Sequence, residues 1–109
     1  MIEIREYVDS QGRSSYGRWF DILDAAAARR VAIALTRMSQ GNFGNVKGVG
    51  RGVFEYRIDF GPGYRVYFGK NGDRIVILLG GGTKKRQPSD IAKAQELWAD
   101  YRHRKQMGA

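Results

Sequence analysis

The chain has 109 residues, and its 19 Lys and Arg against 11 Asp and Glu give a formal net charge of +8. At this length a single domain, residues 1–109, can bury one core, and the positive charge favours nucleic acid as the natural class of partner. Simple solubility or an acidic protein partner would also account for the charge. The lack of cysteine excludes disulfides and thiolate metal sites, and the lone His103 excludes a histidine-rich metal site. We therefore expect neither metal nor cofactor.

The first 40 residues predict a strand followed by two helices. Apolar and charged residues alternate over residues 2–8, as in a strand. Ser14 or Ser15 can cap a first helix, and Asp24 can cap a second helix over residues 25–40. The N-terminus lacks the apolar core of a signal peptide, and no run reaches the roughly 20 apolar residues of a membrane span. These features predict a cytoplasmic protein that does not contact a membrane.

The rest of the chain predicts a loop, three strands and a helix. Residues 41–52 are rich in glycine and predict a loop, and residues 53–67 predict a hairpin. Residues 74–79, RIVILL, show no alternation, which is typical of a central strand covered on both faces. Pro88 begins a helix whose basic end, residues 102–109, is expected to fray. The order β-α-α-β-β-β-α predicts an α+β fold, in which an antiparallel twisted sheet is packed by an N-terminal helical hairpin and a C-terminal helix.

The hairpin separates apolar from charged side chains by strand alternation. Its apolar face carries Phe54, Tyr56 and Ile58, and the opposite face carries Glu55, Arg57 and Asp59. A tight turn at residues 61–63 predicts Asp59 opposite Arg65 and Arg57 opposite Tyr67, on an open sheet face. Tyr67 is then expected to face solvent, where its ring could stack on a nucleobase.

A glycine-rich segment, GGGTKKRQ at residues 80–87, follows the central strand. Glycines allow backbone and cations to approach a phosphate closely, although the segment has neither P-loop nor dinucleotide-binding spacing. Lys84, Lys85 and Arg86 are candidates for phosphate contacts, and the alternative is a solvated turn. Cleavage of RNA through its 2′-hydroxyl would need proton transfer, for which the chain offers lysine, tyrosine, Glu55 or Asp59.

Two motifs carry a resemblance to a known family. They are VFEYRIDFGPGYRVYF at residues 53–68 and ILLGGGTKKRQPSDIAKA at residues 77–94. Together with the element order, they resemble the RelE/ParE superfamily of bacterial toxin–antitoxin systems. Within it, the likeness is to HigB-like and phage Gp49-like addiction-module killer proteins. The resemblance covers residues 2–101 and implies a toxin that enters the ribosome and cleaves mRNA without a metal.

The resemblance also implies roles for individual residues. Arg65 matches the arginine that stabilises the transition state, while Lys84 and Arg57 match basic positions of the catalytic cluster. The residues expected to bind RNA are Lys47, Arg51, Tyr67, Lys85 and Arg86. The implied partners are the ribosome with its mRNA and a helix-turn-helix antitoxin, whose complex with the toxin can bind operator DNA. Two alternatives stay open, namely a gyrase poison like the ParE branch and a non-catalytic phage-derived nucleic-acid-binding protein.

Overall fold

A computed structural model describes residues 1–108, and in that part of the chain a mixed sheet is packed by helices on both faces. The elements in chain order are β1 (Glu3–Glu6), α1 (Ser15–Asp21), α2 (Ala25–Ser39), β2 (Val46–Gly48), β3 (Phe54–Ile58), β4 (Tyr64–Asn71), β5 (Ile75–Thr83), a 3₁₀ turn (Lys84–Arg86) and α3 (Gln87–Gly108). The α+β prediction is confirmed. Among residues 1–108, no helix is long and apolar enough to cross a membrane.

The five strands lie in the order β1-β5-β4-β3-β2. Neighbours from β5 to β2 are antiparallel, but β1 runs parallel to β5, with Ile4 beside Val76. The prediction of a wholly antiparallel sheet was therefore wrong. Side-chain alternation identifies the two faces of a strand and carries no information about the direction of its neighbour, which explains the error.

The predicted helix starts are confirmed by their capping contacts. Ser14 Oγ accepts a hydrogen bond from the Gly17 amide at 2.9 Å, and Asp24 Oδ1 accepts one from the Ala27 amide at 2.8 Å. Both caps satisfy amides that the first helical turn leaves without intrahelical partners. The segment expected to fray from Arg102 onward is instead helical through Gly108, and the final residue of that prediction, Ala109, lies outside the described residues.

The loop predicted for residues 41–52 contains a strand. Val46–Gly48 forms β2 and pairs antiparallel with β3, placing Lys47 beside Glu55. A three-residue strand is too short to show a period of two among so many glycines. The turn that follows has positive φ at Gly50, Arg51 and Gly52, and Arg51 is the one non-glycine residue with positive φ in the described chain.

Each sheet face has its own apolar core. On one face, which we call the α1–α2 face, α1 and α2 cover a core that includes Val31, Met38, Tyr56 and Phe68. On the other, the α3 face, α3 packs over a core that includes Tyr67. The face expected to be open is thus largely covered, and both Tyr67 and Glu55 have 0% exposure.

The glycines of β4 and β5 allow helices to approach the sheet closely. A Cβ at Gly81 would overlap the Trp19 indole on the α1–α2 face, and one at Gly82 would overlap the Asp90 carboxylate on the α3 face. A Cβ at Gly69 would likewise overlap the Trp98 ring. All three glycines lie within β5, so the prediction that this segment follows the strand was wrong. Gly81 and Gly82 are the positions that allow the helices to pack closely.

Candidate anion-binding groove

A groove of about 620 Å³ lies beside the β3–β4 turn. Its walls come from three separate parts of the chain: β2 with the loop before it, the β3–β4 hairpin, and the 3₁₀ turn after β5. Its lining residues are Gly44, Asn45, Val46, Lys47, Arg57, Ile58, Asp59, Gly61, Pro62, Gly63, Tyr64, Arg65 and Lys84. Four cations predicted from the sequence to act together, Lys47, Arg57, Arg65 and Lys84, line this one groove.

The hairpin register places Arg57 directly opposite Arg65, and Glu55 opposite Tyr67. The predicted pairs, Asp59 with Arg65 and Arg57 with Tyr67, were therefore wrong. The reason is that β3 ends at Ile58, so that residues 59–63 form a longer connection than a tight turn provides. Gly61 and Gly63 adopt positive φ within that connection, a conformation that glycine adopts without steric cost.

Lys84 is held at the groove by the backbone. Its amide donates a hydrogen bond to the Gly63 carbonyl at 2.9 Å, which joins the end of β5 to the hairpin turn. Its side chain is exposed, as is that of Arg57. Lys47 comes from the opposite wall, with its side chain 55% exposed and Nζ 3.9 Å from Glu55 Oε1.

Arg65 forms part of the groove wall and is itself 4% exposed. Its Nη1 donates to the Gly63 carbonyl at 2.9 Å, and its Nε lies 3.7 Å from Glu55 Oε2. Glu55, wholly buried, accepts a hydrogen bond from Gln87 Nε2 at 2.8 Å. Arg65 was expected to project freely from an open face. Instead, its guanidinium is fixed beside a buried carboxylate.

Two further polar groups lie in this buried region. The Tyr67 hydroxyl has no hydrogen-bond partner, and burial, reinforced by the neighbouring Glu55 carboxylate, raises the pKa of Tyr67. Asp90 Oδ2 is also buried without a partner, and desolvation raises the pKa of Asp90 against the opposing effect of Arg86. The Tyr67 side chain projects from β4, and the Asp90 side chain reaches the sheet from the first turn of α3.

Four of the predicted RNA-binding residues do not line the groove. Tyr67 is fully buried, so it cannot stack on a base without local unfolding. Arg51 lies in the β2–β3 turn and lines a separate depression with Gln95. Lys85 and Arg86 are exposed in the 3₁₀ turn next to Lys84, outside the groove lining.

Two polar groove residues, Tyr64 and Asn45, were not named as site residues from the sequence, and a third, Asp59, was named only for proton transfer. Tyr64 is half-buried, packs on Phe60 with ring centroids 6.4 Å apart, and also lines the groove. Asn45 precedes the missed strand β2. Asp59 is the one carboxylate among the lining residues. The position of Tyr64 immediately after a Gly-Pro-Gly turn was the available signal, because a turn side chain has solvent on one side.

The groove is suited to anions. Four cations face two carboxylates, Asp59 in the lining and Glu55 beneath it, which leaves an excess of positive charge. Guanidinium and ammonium groups together bind phosphate oxygens through charge-assisted hydrogen bonds. Among the described residues, no group of three or more His, Cys, Asp or Glu could hold a metal ion.

No family model matches the chain. A protein of Haemophilus influenzae described as uncharacterized is 40% identical over 84 residues, which cover 76% of this chain and 85% of that protein. Identity of this extent over most of both chains indicates common descent and a shared fold. The chain therefore belongs to the same family as this Haemophilus influenzae protein.

Proposed function

We propose that the protein is a RelE/ParE-like toxin that binds mRNA on the ribosome through the groove and cleaves it. The observation that carries the proposal is the convergence of Lys47, Arg57, Arg65 and Lys84 on one groove from three chain segments. An arrangement of this kind is expected of a site for the phosphates of RNA. The helical hairpin before the main strands and the single helix after them are consistent with a RelE-like topology.

The proposed chemistry uses the 2′-hydroxyl of RNA as nucleophile. The 2′-oxygen attacks the adjacent phosphorus, the bond to the 5′-oxygen breaks, and the 2′-proton is removed while the leaving oxygen gains a proton. Arg57 and Lys84, which are exposed, would hold the phosphate, and Arg65 would stabilise the charge developing on it. The groups lining the groove that could transfer protons are Lys47, Asp59, Tyr64 and Lys84.

The same proposal includes a partner and a compartment. A toxin of this kind acts in the cytoplasm and is neutralised by a helix-turn-helix antitoxin, whose complex with the toxin can bind operator DNA. An antitoxin segment rich in carboxylates would complement the cations of the groove. Co-expression of the neighbouring reading frame, if it encodes such a protein, should restore growth to cells that express the toxin.

Induced expression followed by mapping of mRNA 5′ ends tests the proposal. Wild-type protein should arrest growth and produce new mRNA ends within translated regions. Arg57→Ala and Lys84→Ala should abolish both effects, whereas Lys93→Ala, which removes an exposed cation from α3 outside the groove, should retain them. Growth arrest without new mRNA ends would contradict cleavage.

One observation favours a binding function without cleavage. Arg65 is held beside Glu55 and is almost fully buried, which limits its reach toward a transition state. Under this second candidate the protein is a gyrase poison or a non-catalytic nucleic-acid-binding protein. Trapped gyrase–DNA cleavage complexes with intact mRNA would identify the gyrase poison, and the absence of both effects would favour the non-catalytic protein.

A further inference from the structure

The buried polar groups without hydrogen-bond partners are concentrated in one place. Within residues 1–108, the unpartnered buried side-chain atoms are Glu55 Oε1, Arg65 Nε, Tyr67 OH and Asp90 Oδ2. Three of these atoms belong to β3 and β4, and Asp90 lies in the first turn of α3, against Gly82 of β5. An unsatisfied buried polar atom costs about 1–3 kcal/mol, and native folds avoid such atoms. A fold optimised for stability alone would not collect them beside a cationic groove.

Glu55 is the residue that links this cluster to the groove. Its carboxylate is wholly buried and accepts a hydrogen bond from Gln87 Nε2 at 2.8 Å. The two cations nearest to it, Arg65 at 3.7 Å and Lys47 at 3.9 Å, both line the groove. The carboxylate thus attracts both cations without forming a close hydrogen bond to either.

We propose that Glu55, anchored by Gln87, is a positioning residue that holds the Arg65 guanidinium in the groove wall for an anionic ligand. The inference rests on the proposed function for the identity of that ligand, a phosphate group of RNA. A guanidinium that is already oriented loses less side-chain entropy on binding, so the anion binds more tightly. Because Gln87 belongs to the first turn of α3, the docking of that helix determines where Arg65 lies.

The test is Gln87→Met, which removes the hydrogen bond to Glu55 and leaves every charge unchanged. The matched control is Gln95→Met on the same helix, because Gln95 also donates one hydrogen bond, to the Val49 carbonyl at 3.0 Å, away from the groove. The readout is the Nε–H signal of Arg65 in the nuclear magnetic resonance spectrum of the free protein, identified by its loss in Arg65→Lys. A role limited to stability would not alter this signal in a folded variant.

We expect the exchange of the Arg65 Nε–H proton with water to become several-fold faster in Gln87→Met and to stay unchanged in Gln95→Met. The affinity for a short single-stranded RNA should fall roughly three- to tenfold in Gln87→Met, the size of one modest hydrogen bond. An unchanged Arg65 signal in folded Gln87→Met, or equal acceleration in both variants, would overturn the inference. If Gln87→Met does not fold, Glu55→Gln provides the same readout, with faster exchange expected.

The result of the Gln87→Met test can be distinguished from the result of the test of the proposed function. The Arg65 signal is measured without RNA, so it reports positioning whether or not the protein cleaves mRNA. Intact mRNA in cells together with an altered Arg65 signal would reject the proposed function and retain the positioning role. New mRNA ends in cells together with an unaltered signal would retain the proposed function and reject the positioning role.

Discussion

Arg57 lies directly opposite Arg65 across the antiparallel pair of β3 and β4, so that two guanidinium-bearing residues are cross-strand neighbours beside one groove. Like charges in directly opposed positions destabilise a sheet by up to about 1 kcal/mol. Glu55 offsets the charge of Arg65, whereas Arg57 is exposed and has no salt bridge within 4.0 Å among the described residues. A bound anion would relieve the remaining repulsion.

The first prediction concerns Arg57→Ala. Removal of the Arg57 side chain should change the free energy of unfolding by no more than about 0.5 kcal/mol, or increase it slightly, because this side chain is exposed and faces a like charge. Affinity for single-stranded RNA should nevertheless fall, and the salt dependence of binding should weaken by the contribution of one phosphate contact. Chemical unfolding and binding titrations at several salt concentrations measure the two effects. Arg29→Ala on α2 removes the same charge and should preserve binding; equal losses in both variants would indicate attraction by net charge alone.

The second prediction concerns Tyr67→Phe. The buried hydroxyl has no hydrogen-bond partner, so its removal should leave the free energy of unfolding unchanged or raise it by up to about 1 kcal/mol. RNA affinity should not change, because the ring is fully buried beneath α3. Urea unfolding and the same binding titration check both statements. A loss of more than about 1 kcal/mol would mean that the hydroxyl has a partner in solution.

The third prediction is a pH dependence. Burial raises the pKa of Asp90, so the folded state favours its neutral form, and its contribution to stability is present below its unfolded pKa and lost as pH rises through the folded value. The stability advantage of Asp90→Asn over the wild type should therefore grow from acid to neutral pH. Thermal melting of both proteins across that range measures the difference.

Asp100 provides a control of opposite sign. Its pKa is lowered, first by the hydrogen bond from Tyr7 and further by Arg104, so its contribution is present above its unfolded pKa and lost as pH falls through the folded value. The destabilisation caused by Asp100→Asn should accordingly be larger at neutral than at acid pH. If both variants showed the same trend with pH, the assigned directions would be wrong.

The fourth prediction tests the close approach of α3 to the sheet. Gly69→Ala places a Cβ inside the Trp98 indole and should destabilise the protein by about 1–3 kcal/mol. Gly48→Ala, in the edge strand β2, meets no atom within 4 Å and should change stability by no more than about 0.5 kcal/mol. Unfolding in urea compares the two. Equal stability of both variants would show that α3 lies farther from the sheet.

Local features were predictable from the sequence because they depend on neighbours in the chain. Ser14 and Asp24 were predicted as helix caps on residue type and position, and both are confirmed. Alternation also placed Arg57 and Arg65 on one face of the sheet. Their grouping with Lys84, which the family resemblance implied, is found in the lining of the groove.

Features that depend on tertiary packing were not predictable in the same way. Tyr67 was assigned to the correct face of β4, but alternation does not reveal that α3 covers that face. The cross-strand partner of Arg65 depended on the length of a turn whose outer residues, Asp59 and Phe60, continue the polar–apolar alternation of β3. Gln87 and Asp90 approach the sheet only because α3 docks there, which no local pattern encodes.

The most direct test of the groove as an RNA site is to map the side chains that a short oligoribonucleotide contacts. The oligoribonucleotide carries 2′-deoxy substitutions, so that it cannot be cleaved. The side-chain signals of arginine and lysine are followed by nuclear magnetic resonance as the oligoribonucleotide is added. We expect the largest shifts at Arg57, Arg65, Lys84 and Lys47. Shifts confined to the arginines of α2 or to the end of α3, or no saturable shifts, would contradict the assignment of this groove.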